Sequence, residues 1–397
     1  MNIRLSDRVQ CIKPSPTLAV SARAQALRAE GIDIIDLGVG EPDFDTPQFI
    51  KNAAIQALAD GYTKYTAVDG LPSLKKAIVQ KFAKENNLQY EPNQVLVSCG
   101  GKQSFFNLIQ AFINEGDEVI IPAPYWVSYP DIVLLAGGKP VVLETNMADQ
   151  FKITPAQLEQ AITAKTKLFV INSPSNPSGL AYTSEELAAL GKVLLKHPHV
   201  LVATDDMYEH MLWNHMPFRN ILMVTPELYD RTMVLNGVSK AYAMTGWRIG
   251  YCAGPKALIQ AMTKIQGQST SNPTAISQKA AEAALSGPQD SIQHMLEAFK
   301  TRHDFVYKAL NQIPGIQCLP SDGTFYTFPD MHALIGKTSN VTNDVQLAEF
   351  FLTQAQVAMV PGSAFGTPGF MRMSFATSME KLEKAIERIE KAVMLLV

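Results

Sequence analysis

The sequence predicts an α/β protein in which helices cover both faces of a mostly parallel sheet, with a smaller α+β lobe beside it. Between about residues 45 and 290, short β-branched runs alternate with longer amphipathic runs, an order typical of parallel sheets. The last quarter instead begins with a long helical pattern that leads into short strands. At 397 residues the chain is also long enough for two packed lobes.

The elements of the larger lobe alternate along the chain. Apolar runs predict strands at 95–98, 118–121, 167–171, 200–203 and 232–235. Helical patterns predict helices at 47–60, 71–85, 103–113, 155–162 and 184–196. Thr46 followed by Pro47 is typical of an N-cap with proline in the first turn, and Asp60 followed by Gly61 of a helix end.

The C-terminal part follows a different order. A helix is predicted at 291–310, then strands near 324–328, 357–360 and 371–375, then a final helix at 379–396. Residues 1–45 are expected to join this lobe, because their one strand and a helix at 18–30 have no other obvious place. We therefore predict an N-terminal arm and part of the small domain at 1–45, a large domain at 46–290 and a small domain at 291–397.

Composition excludes several classes of protein. With 34 basic and 37 acidic residues, the net charge of −3 provides no field to hold a nucleic acid. The four cysteines are scattered, which favours neither a disulfide framework nor a zinc site and fits a reducing compartment. We find no secretory signal and no apolar run near the ~20 residues that span a bilayer, so we expect a cytoplasmic protein. The histidine pairs, His197 with His199 and His210 with His215, are not read as a metal site.

Unusual polar residues follow five of the predicted strands. Ligands bind beyond the carboxyl ends of the strands in an open parallel sheet, so these residues are expected to meet at one edge. In chain order they are Gly100, Gly101 and Lys102; Pro124, Tyr125 and Trp126; Asn172 to Pro177; Asp205 and Tyr208; and Gly237 to Lys240.

Such a set of side chains suits one kind of chemistry. A lysine amine forms Schiff bases with carbonyl groups when it is neutral. A carboxylate favours the protonated form of a heterocyclic nitrogen, and an aromatic plane can stack on a planar ring. Glycine amides that open a helix, with an arginine nearby, bind phosphate. Together these groups indicate a pocket for a phosphorylated pyridine aldehyde.

The segment from Gly237 to Gly250, GVSKAYAMTGWRIG, resembles the lysine motif of the class I aminotransferases, which use pyridoxal phosphate. Further segments resemble the family's other landmarks in the usual order: Gly38 to Phe44, Tyr65-Thr66, Pro124 to Trp126, Pro174 to Pro177, Asp205 to Tyr208, and Arg372 to Ser374. The likeness runs from about Ser6 to the C-terminus and is strongest to bacterial aspartate aminotransferases of the subgroup with prephenate-accepting members. It implies the fold of fold-type I pyridoxal-phosphate enzymes.

The resemblance also implies a role for each matching residue. Lys240 would hold the coenzyme covalently and then move the proton at the substrate α-carbon. Asp205 would pair with the ring nitrogen. The other coenzyme contacts implied are Asn176 and Tyr208 at the ring hydroxyl, Trp126 on the ring, and Gly101, the Lys102 amide and Arg248 at the phosphate, with Tyr65 reaching a phosphate in the neighbouring subunit of a homodimer.

For the substrate, the resemblance implies that Arg372 takes the α-carboxylate, with help from the Gly40 amide and Asn176, beside Trp126. Two cations remain open as partners of the side-chain carboxylate, Lys102 and Lys13. Each candidate site residue can also be explained by a purely structural role. Asp205 could form a turn and Trp126 could be a core aromatic, whereas Asn172 is read as a turn cap and left out of the site.

Three functions are weighed. The first is transfer of the amino group of L-aspartate to 2-oxoglutarate by a ping-pong cycle, with prephenate as a further acceptor. The second keeps the coenzyme but acts on aromatic, alanine-type or sulfur amino acids, as an aminotransferase or β-lyase. The third is a non-enzymatic regulator with an aminotransferase-like domain, which the negative charge and the short sequence outside the likeness disfavour.

Overall fold

A computed structural model describes residues 3–213 and 217–396. The helices are α1 Asp7–Gln10, α2 Pro16–Ala29, α3 Gln48–Ala59, α4 Pro72–Asn86, α5 Gly101–Phe112, α6 Ser128–Leu135, α7 Pro155–Ala161, α8 Ser184–Leu195, α9 Ile221–Val224, α10 Lys256–Gly267, α11 Ala275–Ser286, α12 Asp290–Leu310, α13 Asp344–Phe350 and α14 Met379–Val393. The strands are β1 Ile35–Asp36, β2 Val95–Ser98, β3 Glu118–Pro122, β4 Lys139–Leu143, β5 Thr166–Asn172, β6 Leu201–Asp205, β7 Thr232–Gly237, β8 Gly250–Ala253, β9 Tyr326–Thr327, β10 Val357–Ala358, β11 Val360–Pro361 and β12 Met371–Ser374.

The central sheet has the order β2-β8-β7-β6-β5-β3-β4. Only β8 runs against its neighbours among these strands, since it pairs antiparallel with both β2 and β7. The five strands predicted from sequence are all present and share one direction, so their carboxyl ends meet at one edge. The mostly parallel α/β fold is confirmed.

Successive side chains of the central strands serve two different cores. In β5, Phe169 and Ile171 pack with α3, α4 and α8, whereas Leu168 and Val170 pack with α5, α6 and α10. Both faces of the sheet are therefore covered by helices. This explains why the strands read as continuous apolar runs rather than as an alternating pattern.

The sequence patterns missed two strands and several helices. Strand β4 carries a proline and two exposed positions at the sheet edge, and β8 begins at Gly250, the last residue of the lysine motif, and contains a glycine and a cysteine. Helices α6, α10 and α11 were also missed. The weak periodicity of α6 follows from its position in the core, where apolar residues occupy most of its surface.

The N-cap prediction for Thr46 was wrong. Pro47 is the residue before α3, and Thr46 makes no capping bond. Its hydroxyl instead donates to the Ala243 carbonyl at 2.6 Å and accepts from the Trp247 indole at 2.9 Å. Thr46 thus anchors the loop after Lys240. The predicted end is confirmed, because α3 stops at Ala59 and Gly61 has a φ of 82°.

The remaining strands build a second, smaller core. β11, β12 and β9 form an antiparallel sheet, and β1 pairs in parallel with β10. Helix α14 packs its apolar face against α12 and these strands, and the face predicted from sequence is buried: Leu382, Ala385, Ile386, Ile389 and Val393. Among the described helices, none has the length and apolarity needed to cross a membrane.

Candidate active site

A cavity of about 380 Å³ lies beyond the carboxyl ends of the central strands, where the two cores meet. Its lining includes ten residues that the sequence assigned to the site: Gly40, Gly101, Lys102, Trp126, Asn176, Asp205, Tyr208, Lys240, Arg248 and Arg372. They come from seven separate stretches of the chain, and the convergence expected at one sheet edge is observed.

Lys240 follows β7 and extends its amine into this cavity. Its Nζ donates to the Gly40 carbonyl oxygen at 2.5 Å. Burial, together with the positive charges of Arg372 and Arg248, lowers the pKa of the Lys240 amine to about 8, against the opposing carboxylates of Glu41 and Asp205. A larger fraction of this amine is therefore neutral at pH 7 than of a solvated lysine amine, and a neutral amine is the nucleophilic form.

Asp205 ends β6 with both carboxylate oxygens bonded. Oδ2 accepts from the Tyr129 hydroxyl at 2.5 Å, and Oδ1 accepts from the Met207 amide at 3.2 Å. Burial raises the pKa of Asp205, while these two bonds and the nearby Lys240 amine act in the opposite direction. This is a carboxylate placed to receive a further cationic donor from the cavity.

Asn172, which sequence reasoning left outside the site, lines the cavity. Its side-chain amide donates to the Asp205 carbonyl at 2.8 Å, and its side-chain oxygen accepts from the Asn176 amide at 2.8 Å. It does hold a turn, but this turn aligns two other site residues. The register of β5 against β6 places Asn172 opposite Asp205, a relation that the local sequence does not contain.

An anion site is formed where α5 begins. Gly100 has a φ of 90° and precedes the first helical residue, Gly101. Arg248 also has a left-handed backbone, with a φ of 56°, and donates to the carbonyls of Thr245 and Cys99 at 2.8 and 3.3 Å. The free amides of a first helical turn with an adjacent guanidinium bind phosphate well.

Arg372 lies in β12 and is 3% exposed. Its two terminal nitrogens donate to Asn176 Oδ1 at 3.0 Å and to the Gly38 carbonyl at 2.7 Å. The guanidinium lies 4.5 Å from the centre of the Tyr326 ring. Its Nε is buried without a hydrogen-bond partner among the described residues. A buried donor of this kind is costly unless a ligand completes it.

Two aromatic residues complete the walls near these groups. The hydroxyls of Tyr208 and Tyr326 lie 3.1 Å apart, and both side chains are buried. Tyr326 was not found from sequence. Its signal would have been the β9–β12 pairing, which places Tyr326 beside Ser374, two residues after Arg372. Trp126 meets Tyr129 edge to face at 5.2 Å, and Lys102 Nζ lies 5.2 Å from the centre of the Trp126 ring.

Comparison with known proteins identifies the family. The family model for aminotransferase class I and II matches residues 32–389. The chain belongs to this family. It is 60% identical over 392 residues to the aspartate/prephenate aminotransferase of Nitrosomonas europaea, covering 98% of this chain and 99% of that protein. It is 50% identical over 389 residues to the aspartate aminotransferase of Geobacillus stearothermophilus, covering 98% of each chain.

Solved structures agree with this assignment to the aminotransferases. The aspartate aminotransferase from Rhizobium meliloti superposes with a TM-score of 0.96 at 47% identity, covering 99% of both chains. The Thermus thermophilus aspartate aminotransferase with maleate gives a TM-score of 0.93 at 42% identity, covering 98% of this chain and 100% of that one. The fold is therefore that of fold-type I pyridoxal-phosphate-dependent transferases, and this aminotransferase uses that coenzyme.

The residues of this cavity suit pyridoxal phosphate, and this holds independently of the family comparison. It offers an amine with a lowered pKa, a buried carboxylate and an anion site at the start of α5. Close packing at the anion site supports the fit. A Cβ on Gly100 would lie 2.3 Å from Arg248 Nη2, so only glycine leaves the guanidinium in place.

Two predicted residues do not line the cavity of this aminotransferase. Tyr65 is 91% exposed on the surface, in keeping with a partner outside its own subunit. Lys13 is exposed, and its backbone amide lies 3.5 Å from the Asp131 carboxylate. Thr17, four residues further along, lines the cavity instead. The roles suggested for Tyr65 and Lys13 therefore stay predictions.

One group of described residues has the spacing of metal ligands, namely Glu85, Glu209 and His210. Lys81 occupies the same place, because its amine pairs with Glu209 and lies 3.6 Å from Glu85. The chain thus supplies its own cation there. His215, paired with His210 in the sequence reading, lies outside the described residues.

Proposed function

We propose that this aminotransferase moves the amino group of L-aspartate to 2-oxoglutarate, giving oxaloacetate and L-glutamate in a ping-pong cycle. The main support for this proposal is that Lys240 and two further cations, Arg372 and Lys102, line one cavity of about 380 Å³. Arg372 and Lys102 can each bind one carboxylate of a dicarboxylic substrate. Relatives named aspartate aminotransferase and aspartate/prephenate aminotransferase support this choice, and prephenate is also a dicarboxylate.

The substrate α-carboxylate is assigned to Arg372. The guanidinium is already oriented by Asn176 and Gly38, so its side chain loses little conformational entropy when a carboxylate binds it. Gly40 lies beside it, since a Cβ on Gly40 would lie 3.9 Å from Arg372 Nη2. These contacts fix the substrate before any proton moves, and proximity of this kind supplies much of the rate.

Lys240 is assigned two tasks. It would hold pyridoxal phosphate covalently between turnovers, and its free Nζ would act as general base at the substrate α-carbon. The lowered pKa of the Lys240 amine suits both tasks, because each needs the neutral form. When bound, the coenzyme supplies the electron sink for the carbanion that this proton transfer leaves.

The other assigned contacts hold the coenzyme. Asp205 would pair with the ring nitrogen, Asn176 and Tyr208 would contact the ring hydroxyl, and Trp126 would stack on the ring. Gly101, the Lys102 amide and Arg248 would bind the phosphate. Tyr65 binds a phosphate in the neighbouring subunit, which makes the active form a homodimer, and the cytoplasm is the proposed location.

A trapping experiment tests the Lys240 assignment. Borohydride reduction of the purified yellow protein, followed by peptide mass spectrometry, should place the pyridoxyl group on Lys240. Lys240→Ala should remain folded and lose turnover, while Lys264→Ala, at an exposed lysine on α10, should behave as the parent. An adduct on another lysine would contradict the assignment.

A substrate screen tests the reaction. Aspartate, glutamate, phenylalanine and alanine are assayed as donors, with 2-oxoglutarate and prephenate as acceptors. Aspartate with 2-oxoglutarate should be the best pair. Exclusive use of aromatic or sulfur donors would favour the alternative aminotransferase or β-lyase activity, and absence of all turnover with a bound coenzyme would favour a regulator.

The two candidate cations for the side-chain carboxylate can be separated in the same screen. Burial and the charge of Arg248 lower the pKa of Lys102, so its amine interacts with the charges of the cavity. We expect Lys102→Gln to raise KM for aspartate at least tenfold, which corresponds to a loss of about 1.4 kcal/mol in binding free energy. KM for alanine should stay nearly unchanged. The same pattern in Lys13→Gln alone would move the role to Lys13.

A further inference from the structure

The carboxylate of Asp205 accepts a hydrogen bond from Tyr129, which does not line the cavity. Tyr129 lies in the first turn of α6 and is 2% exposed. Its hydroxyl is 2.5 Å from Asp205 Oδ2. The other oxygen, Oδ1, accepts a hydrogen bond from the Met207 amide at the longer distance of 3.2 Å. This is the one bond described for that atom. Tyr129 therefore provides the shorter of the two bonds that hold this carboxylate.

The ring of Tyr129 is fixed by its neighbours. Phe105 of α5 lies 4.9 Å away between ring centres at a tilt of 59°, and Trp126 lies 5.2 Å away, edge to face. Trp126 and Tyr129 are three residues apart, so one turn of chain presents the indole to the cavity and the phenol to Asp205. The hydroxyl cannot leave the carboxylate without disturbing both contacts.

A carboxylate that faces a ring nitrogen can hold the shared proton in two ways. The proton stays on the nitrogen when the carboxylate is weakly basic, and it moves to the oxygen when the carboxylate is strongly basic. Burial makes Asp205 more basic, because it raises the pKa of the carboxyl group. A hydrogen bond donated to the charged form has the opposite effect.

Tyr129 is suited to remain the donor at neutral and mildly alkaline pH. Burial and the adjacent Asp205 raise the pKa of the Tyr129 phenol well above its usual range. The phenol therefore keeps its proton and donates to Oδ2, which opposes the effect of burial on Asp205.

We propose that Tyr129 is a positioning residue that keeps Asp205 oriented and weakly basic, so that the shared proton stays on the ring nitrogen of the coenzyme. This inference rests on the proposed pairing of Asp205 with that nitrogen. The protonated ring is the better electron sink, so the Tyr129 hydroxyl contributes to proton removal at the substrate α-carbon without touching the substrate or the coenzyme.

The test uses the holoenzyme with coenzyme labelled with ¹⁵N at the ring nitrogen, because the NMR shift of that nitrogen reports its protonation directly. Tyr129→Phe removes only the hydroxyl and keeps the ring contacts with Phe105 and Trp126. We expect the ring-nitrogen resonance to move towards that of an unprotonated pyridine. We also expect kcat for aspartate to fall roughly tenfold to a hundredfold, with KM changed less than threefold.

The matched control is Tyr125→Phe, which removes a hydroxyl from the loop just before α6, at a side chain with no described bond to Asp205. It should leave the ring-nitrogen resonance in place. If Tyr129→Phe also leaves the resonance and kcat in place, the inference is overturned. A thermal melt of each variant separates this outcome from a packing defect, since a purely structural role would lower Tm without moving the resonance, and that result too would overturn it.

Asp205→Asn separates the inference from the assignment on which it rests. If this variant retains both the parent resonance and full turnover, the proposed pairing of Asp205 with the ring nitrogen fails. If it changes both while Tyr129→Phe changes neither, only the role of Tyr129 fails. When Tyr129 acts through Asp205, Tyr129→Phe should cause no further loss in the Asp205→Asn background, as coupled residues require; an additive loss would count against the inference.

Discussion

At the scale of single residues, the site depends on charged groups whose pKa values or bonds differ from those of solvated side chains. The Lys240 amine has a pKa lowered to about 8 by burial and by Arg372, and Arg372 itself is buried with one donor that has no hydrogen-bond partner in the described part of the chain. Both features cost stability in the protein alone. They are explained by groups that bind there, so each can be tested by removing or titrating the group.

The pH dependence of coenzyme capture follows from Lys240. Because its pKa is lowered from 10.5 to about 8, the amine loses its proton at lower pH than a solvated lysine. The rate at which the coenzyme-free protein captures pyridoxal phosphate should rise with pH up to about 8 and then level off. Stopped-flow absorbance of the bound coenzyme measures this rate. A rise that continues to the ordinary lysine value would contradict a lowered pKa.

Arg372→Lys keeps the charge but removes the planar, forked set of donors. A lysine amine cannot bond Asn176, the Gly38 carbonyl and a carboxylate in the same geometry. We expect kcat/KM for aspartate to fall by roughly 30-fold to 150-fold, or about 2–3 kcal/mol. Steady-state kinetics test this, and coenzyme content serves as the control because it should not change. A loss below threefold would remove Arg372 from the substrate site.

At the scale of elements, the strand-to-helix turns place the site residues. β2 delivers the glycines that open α5, β6 delivers Asp205, and β7 delivers Lys240. Close backbone approach is part of this design. A Cβ on Gly250 of β8 would lie 2.3 Å from the Gly101 amide nitrogen. The backbone of β8 can therefore approach the anion site this closely only because position 250 is glycine.

Gly100→Ala should weaken coenzyme binding. The residue has a φ of 90°, and its new Cβ would displace the Arg248 guanidinium. We expect the Kd for pyridoxal phosphate to rise at least tenfold, measured by equilibrium titration of the coenzyme-free protein. Gly116→Ala is the matched control, because Gly116 has a φ of 80° with no atom within 4 Å of an added Cβ. It should cost about 1 kcal/mol of stability and leave Kd unchanged.

A buried ion pair links α4 to the loops that carry the site. Lys81 pairs with Glu209, which follows Tyr208, and Glu209 accepts from Asn236 at 2.8 Å. The positive charge of Lys81 helps to hold the pKa of Glu209 at about 2, although burial opposes it. Glu209 therefore joins the segment after β6 to Asn236 of β7, and Lys81 ties both to α4.

Lys81→Met leaves the Glu209 carboxylate buried without its cation. We expect a loss of about 3–5 kcal/mol in the free energy of unfolding, measured with urea. Lys300→Met is the control, because the Lys300–Asp304 pair is exposed and should contribute less than about 1 kcal/mol. Equal losses in the two variants would show that the buried pair has no special weight.

At the scale of the whole molecule, the cavity uses residues from both cores of one chain, and the proposed dimer adds Tyr65 from a second chain. Exposed apolar side chains precede Tyr65 along the chain, namely Ile55, Leu58 and Tyr62. An exposed apolar surface of this kind is typical of a protein interface. The domain boundaries at 45 and 290 stay a prediction, although β1 pairs with β10 as a shared small domain requires.

Mixing two inactive variants tests the dimer. Tyr65→Ala is expected to lose coenzyme, and Lys240→Ala is expected to lose turnover. In a hybrid of the two, one site has Lys240 from one chain and Tyr65 from the other. Random refolding of an equal mixture should restore about a quarter of the parent activity, since half the dimers are hybrids with one intact site. No recovery would place Tyr65 in the site of its own chain.

Much of the site could be predicted because its residues fall at strand ends in short motifs. Lys240, Asp205 and Arg372 were each identified from neighbours in sequence, and the cavity brings them together. Tyr129 and Asn172 were not, since each acts through a bond to Asp205 that depends on strand order and helix position. Neither has a local pattern that separates it from a core tyrosine or a turn asparagine.

The sequence by itself determined the α/β class, the direction and order of the main strands along the chain, and the chemical groups available at their ends. Only the tertiary structure decided which of these groups touch. Lys240 meets Gly40 and Arg372 meets Gly38 across 200 and 334 residues of chain. Periodicity and motifs report interactions over a few residues, whereas these contacts depend on how the three separate sheets that hold β1, β7 and β12 pack together.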